Sequence, residues 1–298
     1  MQHPQVTIVG SSNVDITALM ARLPGPGETV LADSYQLTPG GKGANQALAA
    51  RLAGATTEFI GAVGRDAHAE VALSQLAEAG VLLDRVARTT HPTGVAIIQV
   101  DAAAENSIAV VPGANAQVTG DAVSSLGELR GILVLQGEIP ASGITAAMDA
   151  ASDRVVLNLA PVIELPREYL LAADPLVVNE HEAALVLALL DGTSEVSTES
   201  EPVIARKLID HGVSSVVVTL GAQGCLVAQG QGIEQLAAVK ADAVDTTGAG
   251  DAFTGALAAR ISQGDDLVKA AEFAGKFAAL TVQAHGAQSS YPRSLENL

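Results

Sequence analysis

The sequence feature that most constrains the fold is a series of short apolar runs with no polar alternation. They cover residues 6–10, 131–138, 155–161, 176–179 and 214–220. A strand with one face in water alternates apolar and polar residues, whereas a strand covered on both faces does not. The segments between the runs favour helices; residues 67–79, for example, follow a further predicted strand over 58–63. This order predicts an α/β protein whose doubly wound, mainly parallel sheet carries helices on both faces.

Two excursions interrupt the alternation of strands and helices. Residues 94–100 and 107–111 are β-branched runs joined by the polar segment 101–106, which is typical of a hairpin. Residues 28–38 also favour a strand. Taken alone, these pieces could be surface hairpins with no role. The sequence contains no repeat, low-complexity tract or convincing linker, so we expect one domain over residues 1–298.

A glycine-rich stretch at 245–255 predicts an anion site. Phe253, Leu257 and Ile261 recur at four-residue spacing, which indicates a helix that begins near Gly250 or Asp251. The first N–H groups of a helix lack partners within it and carry partial positive charge, so they favour a phosphate. Asp251 at this point is either an N-cap or an acid with a role in the site.

Polar side chains follow several of the predicted strands, where a doubly wound fold gathers its ligand site. They include Asn13, Asp15, Glu138, Asn179 and Thr219. Asn13 and Asp15 are two residues apart in an extended segment, so they face the same side. An amide and a carboxylate so placed suit neighbouring sugar hydroxyls, although a pair of Asx turns explains them too.

A second glycine-rich stretch, residues 39–46, leads into a predicted helix over 47–52. Stretches 39–46 and 245–255, in this order and at this separation, resemble the two signatures of the ribokinase-type (phosphofructokinase-B-type) sugar kinase family. The resemblance covers nearly the whole chain. It implies transfer of a phosphoryl group from ATP to a sugar hydroxyl. Within the family, stretches 26–29, 40–46, 111–115 and 158–161 favour the 5-hydroxyl of D-ribose.

The resemblance also implies the site residues. The implied sugar ligands are Asn13, Asp15, Gly41, Lys42, Asn45, Glu138 and Asp251. Asp251 is the implied base, and the amides of Gly248, Ala249 and Gly250 are the implied anion hole. The implied ATP contacts are Asn179, Thr219, Leu220, Gly221, Ala222, Gln223, Gly224, Gly250, Asp251 and Gly275. Glu182 would bind Mg²⁺ through water, and the implied K⁺ ligands are Asp245, Thr247, Thr281, Ala284, Gly286 and Ser290.

Family likeness further implies that segments of about 13–40 and 93–112 form a small β-sheet lid over the sugar, and that two copies form a homodimer through it. Two positions depart from the family pattern. Gly275, next to Lys276, stands where relatives often carry Asn or His near the adenine. Asn158-Leu159-Ala160-Pro161 replaces the usual Asn-Pro-Ala-Pro.

Composition narrows the alternatives. A net charge of −17 argues against nucleic acid and anionic membranes as partners. The single cysteine, Cys225, reads as a small buried residue in a strand, and it fits the reducing cytoplasm, where we expect the protein. No P-loop, dinucleotide fingerprint or hydrolase elbow is present. Two alternatives stay open: a same-family kinase for another pentose or a nucleoside, and a sugar-binding regulator without catalysis. The 2% aromatic content disfavours a nucleoside as the acceptor.

Overall fold

The computed structural model describes residues 5–103 and 105–296. The strands are β1 (Val6–Val9), β2 (Asn13–Leu19), β3 (Ser34–Gly40), β4 (Thr57–Ile60), β5 (Ala62–Val63), β6 (Ala87–Arg88), β7 (Gly94–Val100), β8 (Asn106–Val111), β9 (Ile132–Gln136), β10 (Val155–Asn158), β11 (Leu176–Asn179), β12 (Ser215–Thr219), β13 (Cys225–Gln229) and β14 (Gly232–Leu236). The helices are α1 (Lys42–Leu52), α2 (Ala67–Ala79), α3 (Gly120–Ser124), α4 (Ala141–Asp149), α5 (Arg167–Leu171), α6 (Glu180–Asp191), α7 (Glu201–Asp210), α8 (Ala249–Ser262) and α9 (Leu267–Thr281).

The main sheet has eight strands in the order β14-β13-β12-β11-β10-β9-β1-β4. The strands from β12 to β4 pair in parallel, and β13 and β14 add an antiparallel edge. Successive residues of each central strand enter opposite cores. Ile8, Val134 and Val156 pack toward α1, α2, α8 and α9, whereas Val9 and Leu135 pack toward α4, α6 and α7. The predicted fold class is confirmed, and the non-alternating strands are explained by burial on both faces.

A second sheet of four strands, in the order β3-β2-β7-β8, stands apart from the main one. Its strand β2 pairs with β3 in antiparallel and with β7 in parallel, and β7 pairs with β8 as the predicted hairpin. Asn13 starts β2 only four residues after β1 ends. This small sheet therefore begins at the carboxyl edge of the main sheet, where polar side chains gather.

Three predicted boundaries are wrong. The strand expected at 58–63 is interrupted at Gly61, where a Cβ would lie 2.8 Å from the carbonyl oxygen of Gly10. The strand expected at 28–38 runs instead over Ser34–Gly40. The helix expected at 47–52 begins at Lys42, within the glycine motif. Acceptors from distant segments satisfy its first amides, which the local sequence does not reveal.

Among the described residues, none of the helices is long and apolar enough to cross a membrane. Cys225 is buried in β13, as predicted, and burial raises the pKa of its thiol to about 12. This thiol therefore stays protonated and unreactive at neutral pH.

Candidate functional site

The two glycine motifs meet because α1 and α8 cross closely. A Cβ at Gly255 would overlap the carbonyl oxygen of Gln46 and lie 2.7 Å from the Cβ of Ala49. Glycine at this point lets the two backbones touch. Gly255 is one helical turn beyond Asp251, so the close crossing brings Asn45 and Gln46 of α1 beside the Asp251 carboxylate.

The Asp251 side chain is only 6% exposed, and both its oxygens accept hydrogen bonds. Asn45 Nδ2 donates to Oδ2 at 2.9 Å, and Gln46 Nε2 donates to Oδ1 at 2.9 Å. A buried carboxylate is costly without such partners. The structure therefore holds an acid at the N-terminus of α8 through two neutral amides, which leaves lone pairs on both oxygens for a ligand.

The N-terminus of α8 offers free amides, as predicted, but the set of amides differs. Gly248 adopts a left-handed conformation with φ of 76°, and the helix begins at Ala249. The Ala249 amide donates to the Thr246 carbonyl oxygen at 3.2 Å. Within the described part of the chain, the amides of Gly248, Gly250 and Asp251 donate to no other residue. These three amides, rather than that of Ala249, are available to an anion.

By contrast, the first amides of α1 are already occupied. Glu138 Oε2 accepts from the Lys42 amide at 3.1 Å and from Ser11 Oγ at 2.5 Å. Ser11 in turn accepts from the amides of Gly43 and Ala44. The first glycine motif thus serves as a capped helix start, with a carboxylate at the positive end of the dipole. No residue that the structure describes donates to Glu138 Oε1, so this oxygen is available to a ligand.

Asp15 projects from β2 toward the same region as Glu138 and Asp251. Burial, followed by repulsion from Glu138 and Asp251, raises the pKa of Asp15 to about 6. The charge of Asp251 raises the pKa of Lys42, with a smaller contribution from Glu138, although burial opposes the rise. The site therefore holds three carboxylates around a protonated lysine, all of them near the carboxyl edge of the main sheet.

Asn13 is oriented by Asn115. Sequence reasoning included Asn115 in the stretch 111–115 but gave it no role of its own. Asn115 Oδ1 accepts from the Ser12 amide at 2.9 Å. Asn115 Nδ2 donates to Asn13 Oδ1 at 2.7 Å and to the Ser12 carbonyl oxygen. Because the Asn13 oxygen is occupied, its NH₂ group is the part that can donate to a ligand.

Beside the N-terminus of α8 lies a long groove of about 1120 Å³. The predicted ATP contacts that line it are Thr219, Gly221, Ala222, Gly224, Gly250 and Gly275. Leu220 is buried instead, and its amide donates to the Gly224 carbonyl oxygen at 2.8 Å, which closes the turn. Neither Gln223, Asn179 nor Asp251 is among the residues that line the groove. Lys276 and Glu272 of α9 add charged groups to one wall.

Asn179 and Glu182 form a capping box at the start of α6. Asn179 Oδ1 accepts from the Glu182 amide at 2.8 Å, and Glu182 Oε2 accepts from the Asn179 amide at 2.9 Å. Within residues 5–103 and 105–296, Glu182 Oε1 accepts no hydrogen bond. Among the described residues, no group of three or more His, Cys, Asp or Glu side chains is placed to hold a metal. The chemistry fits Mg²⁺ held mainly by waters and phosphates, which needs one or two carboxylates.

Asp245 ties together the two segments predicted to hold K⁺. Its Oδ1 accepts from the Thr247 amide at 2.9 Å, and its Oδ2 accepts from the Gly286 amide at 2.8 Å. Although burial opposes it, these amides lower the pKa of Asp245. Thr281 Oγ1 donates to the Ala278 carbonyl oxygen, and Ser290 Oγ donates to that of Ala287. An oxygen-rich donor set of carboxylate, hydroxyls and carbonyls fits a hard cation.

Sequence reasoning missed a set of buried amide side chains behind Asp251. They are Gln46, Gln136, Asn158 and Gln288. Gln136 and Asn158 are the last residues of β9 and β10, and a polar residue at the end of an apolar run is a signal that could have found them. Gln46 and Gln288 give no such signal, since their partners are distant in sequence.

Comparison with known proteins agrees with this geometry. Residues 3–294 match the model of the pfkB family carbohydrate kinases. A ribokinase of Schizosaccharomyces pombe is 39% identical over 98% of this chain and 96% of the relative. A deoxyribokinase of Salmonella typhi is 33% identical over 96% of this chain and 95% of the relative.

Among solved structures, the ribokinase of Arabidopsis thaliana complexed with ribose and ATP is 35% identical, with a TM-score of 0.83 over 98% of this chain and 96% of that one. Family match, sequence identity and fold thus agree over nearly the full length. The chain belongs to the pfkB family of carbohydrate kinases.

Proposed function

We propose that the protein transfers the γ-phosphoryl group of ATP to the 5-hydroxyl of D-ribose, giving ribose 5-phosphate and ADP. The observation that carries this proposal is the position of Asp251. Its carboxylate lies beside three free amides at the start of α8, between the long groove and the side chains of Asp15, Lys42 and Glu138. The relatives named as ribokinases support ribose as the acceptor.

In this proposal the sugar lies between β2 and α1. Asn13 donates through its NH₂ group, because Asn115 occupies its oxygen. Asp15 and Glu138 Oε1 accept hydrogen bonds from hydroxyls, and Lys42 donates. The Gly41 backbone and the remaining N–H of Asn45 complete the contacts. A sugar with several adjacent hydroxyls suits the carboxylates of Asp15, Glu138 and Asp251. Each hydroxyl can donate to one carboxylate and accept from an amide or ammonium group.

The transfer itself breaks the bond between the γ-phosphorus and its bridging oxygen and forms a bond to the sugar oxygen. Asp251 aligns the hydroxyl and accepts its proton, while the charge released on the bridging oxygen leaves with ADP. The amides of Gly248, Gly250 and Asp251 stabilise the equatorial oxygens. Since the transition state is loose, positioning and charge stabilisation supply most of the rate.

ATP lies in the groove formed by residues 219–224 and α9, with Gly275 near the adenine. Mg²⁺, when bound, neutralises charge on the phosphates, and Glu182 would hold it through water with its free Oε1. K⁺ would lie at Asp245, Thr247, Thr281, Ala284, Gly286 and Ser290, several of them through backbone carbonyls. Its ligand Asp245 already clamps the 245–248 turn, so an occupied site would fix the amides that follow.

Segments of about 13–40 and 93–112 would act as a lid that excludes water from the sugar, within one domain of residues 1–298. The outer face of this lid would join two copies in a homodimer. A reaction that consumes ATP fits the cytoplasm, which is the location we propose.

The test measures ADP release with Mg²⁺ and a panel of D-ribose, 2-deoxyribose, other pentoses and nucleosides, in K⁺, in Na⁺ and in a large organic cation. The expected result is the highest kcat/KM for ribose, more turnover in K⁺, and no sugar-dependent release by Asp251→Asn. The Salmonella relative, a deoxyribokinase, makes 2-deoxyribose a specific second candidate. A higher kcat/KM for 2-deoxyribose than for ribose would identify that sugar as the acceptor instead. Sugar binding without any ADP release would favour a regulator.

A further inference from the structure

Gln46 is a fully buried amide whose every polar atom is engaged. Its Nε2 donates one hydrogen to Asp251 Oδ1 and the other to Asn158 Oδ1, each at 2.9 Å. Its Oε1 accepts from Gln136 Nε2 at 2.7 Å. An amide offers two donor hydrogens and an acceptor oxygen, so this side chain is satisfied on both sides.

The surrounding partners assign the orientation of the Gln46 amide. Asn158 Nδ2 donates to the Val177 carbonyl oxygen of β11 at 2.9 Å, so Asn158 must present its oxygen to Gln46. An oxygen there requires the NH₂ group of Gln46. The same NH₂ group is therefore directed to Asp251, and the orientation is inherited from the backbone of the main sheet.

Asn45 is held in a similar way on the other side of the carboxylate. Gln288 Nε2 donates to Asn45 Oδ1 at 2.9 Å, which leaves Asn45 Nδ2 to donate to Asp251 Oδ2. Two amide donors, one on each oxygen, thus fix the plane of the carboxylate.

We propose that Gln46 is a positioning residue for phosphoryl transfer, which holds the Asp251 carboxylate in one orientation toward the hydroxyl whose proton it accepts. The proposal rests on the role of Asp251 proposed above. Gln136 and Asn158 act one step further away, since they fix Gln46 and do not contact the acid.

The chemistry of position 46 distinguishes positioning from packing. Gln46→Met keeps the volume and removes both donor and acceptor. Gln46→Glu keeps the shape but places a second carboxyl group against Asp251. Two carboxyl groups so close share a proton, and the pair ionises at higher pH than one group alone.

The other titratable groups that face Asp251 are Lys42 of α1, Asp15 of β2 and Tyr291. They are the same in every variant, so a change in the pH profile reports on position 46.

The experiment compares kcat and KM against pH for the wild type, Gln46→Met, Gln46→Glu and Gln136→Met. Gln46→Met should lower kcat about 10- to 100-fold with KM for ribose and ATP within about threefold, because misorientation of a reacting group costs rate. Gln46→Glu should shift the acidic limb of the kcat–pH profile to higher pH, by about one pH unit or more. Gln136→Met should lower kcat by less than Gln46→Met, in the same direction.

Thr57→Val is the control, since Thr57 is buried at the amino end of β4, at the edge of the main sheet opposite the site, and donates to the Ala55 carbonyl oxygen at 3.2 Å. It should lose stability and keep the wild-type pH profile. A Gln46→Glu profile that superimposes on the wild type would overturn the proposal. If Gln46→Glu does not fold, unchanged kcat in both Gln46→Met and Gln136→Met would overturn it.

Asp251→Asn distinguishes a failure of the proposed base from a failure of the positioning role of Gln46. If that variant keeps more than about a tenth of the wild-type turnover, the proposed base is wrong. If it is inactive while the position 46 variants behave as wild type, only the positioning role of Gln46 is wrong.

Discussion

Asp15 is a residue that we expect to strengthen sugar binding but to destabilise the protein when no sugar is bound. Its carboxylate lies half-buried near those of Glu138 and Asp251, and its pKa is raised to about 6 from an ordinary value of 3.8. A raised pKa means that the folded protein binds a proton more tightly than the unfolded chain does. This group therefore lowers stability at pH 7, and its cost disappears as the pH falls from about 6 to about 4.

Asp15→Asn should stabilise the sugar-free protein at pH 7.5, by on the order of 1–3 kcal/mol, because it removes a half-buried charge among like charges. The gain should shrink at pH 5, where the wild type takes up its proton. The same variant should bind ribose more weakly, since it loses a charged acceptor worth about 1.5–3 kcal/mol. Urea unfolding at the two pH values and calorimetry with ribose measure these effects.

Asp33→Asn, at an exposed loop position, is the matched control for Asp15→Asn. It should change neither the free energy of unfolding nor its pH dependence by more than a few tenths of a kcal/mol. A change in the free energy of unfolding that is the same at both pH values, or a loss of stability by Asp15→Asn at pH 7.5, would contradict the assigned electrostatic cost.

Residues of the site differ in how far the sequence predicted them. Asp251, Asp15 and Glu138 were predicted because they follow glycine motifs or strands, and such patterns are local in the sequence. Gln46 was missed although it belongs to a quoted motif, since its partner Asp251 is 205 positions away. An orientation inherited through hydrogen bonds across the sheet exists only once the chain is folded.

At the scale of elements, the crossing of α1 and α8 brings the two glycine motifs into one site. Gly255→Ala should force the helices apart, because the added Cβ would overlap the Gln46 carbonyl oxygen and stand 2.9 Å from the Ala50 nitrogen. Overpacking of this kind costs about 1–3 kcal/mol. It should also lower kcat by about tenfold or more, since Asn45 and Gln46 move away from Asp251. Urea unfolding and steady-state turnover measure both effects.

Gly275→Ala makes the same change in α9, where a Cβ meets no atom within 4 Å. In unfolding experiments it should gain up to about 1 kcal/mol from helix propensity. If Gly255→Ala is as stable as Gly275→Ala, the close crossing does not depend on glycine.

The elements show why some boundaries could be predicted and others could not. Helix α2 matches the predicted residues 67–79, because Asp66 caps it locally and Gly80 ends it in a left-handed turn. Helix α1 begins five residues before the predicted start, because Glu138 and Ser11 accept from its first amides. A local cap is visible in sequence, whereas a cap supplied by a residue 96 positions away is not.

At the scale of the whole molecule, the small sheet carries an apolar surface on the side opposite Asp15. Cross-strand partners lie on the same face, and Leu37, Ile16 and Ile97 are such partners across β3, β2 and β7. Leu37 is 41% exposed and Ile97 is 44% exposed. A strip of apolar residues on an exposed sheet is typical of a protein interface.

The proposed homodimer therefore predicts that Ile97→Lys yields a monomer. A lysine in this strip would be buried without a partner in the dimer, which costs far more than its exposure in the monomer. Light scattering after gel filtration should give twice the chain mass of 30.1 kDa for the wild type and the single mass for the variant. Val203→Lys in α7 is the control, since Val203 is 41% exposed on another surface and should leave the dimer intact. A wild-type monomer, or a dimer that survives Ile97→Lys, would exclude an interface through this face.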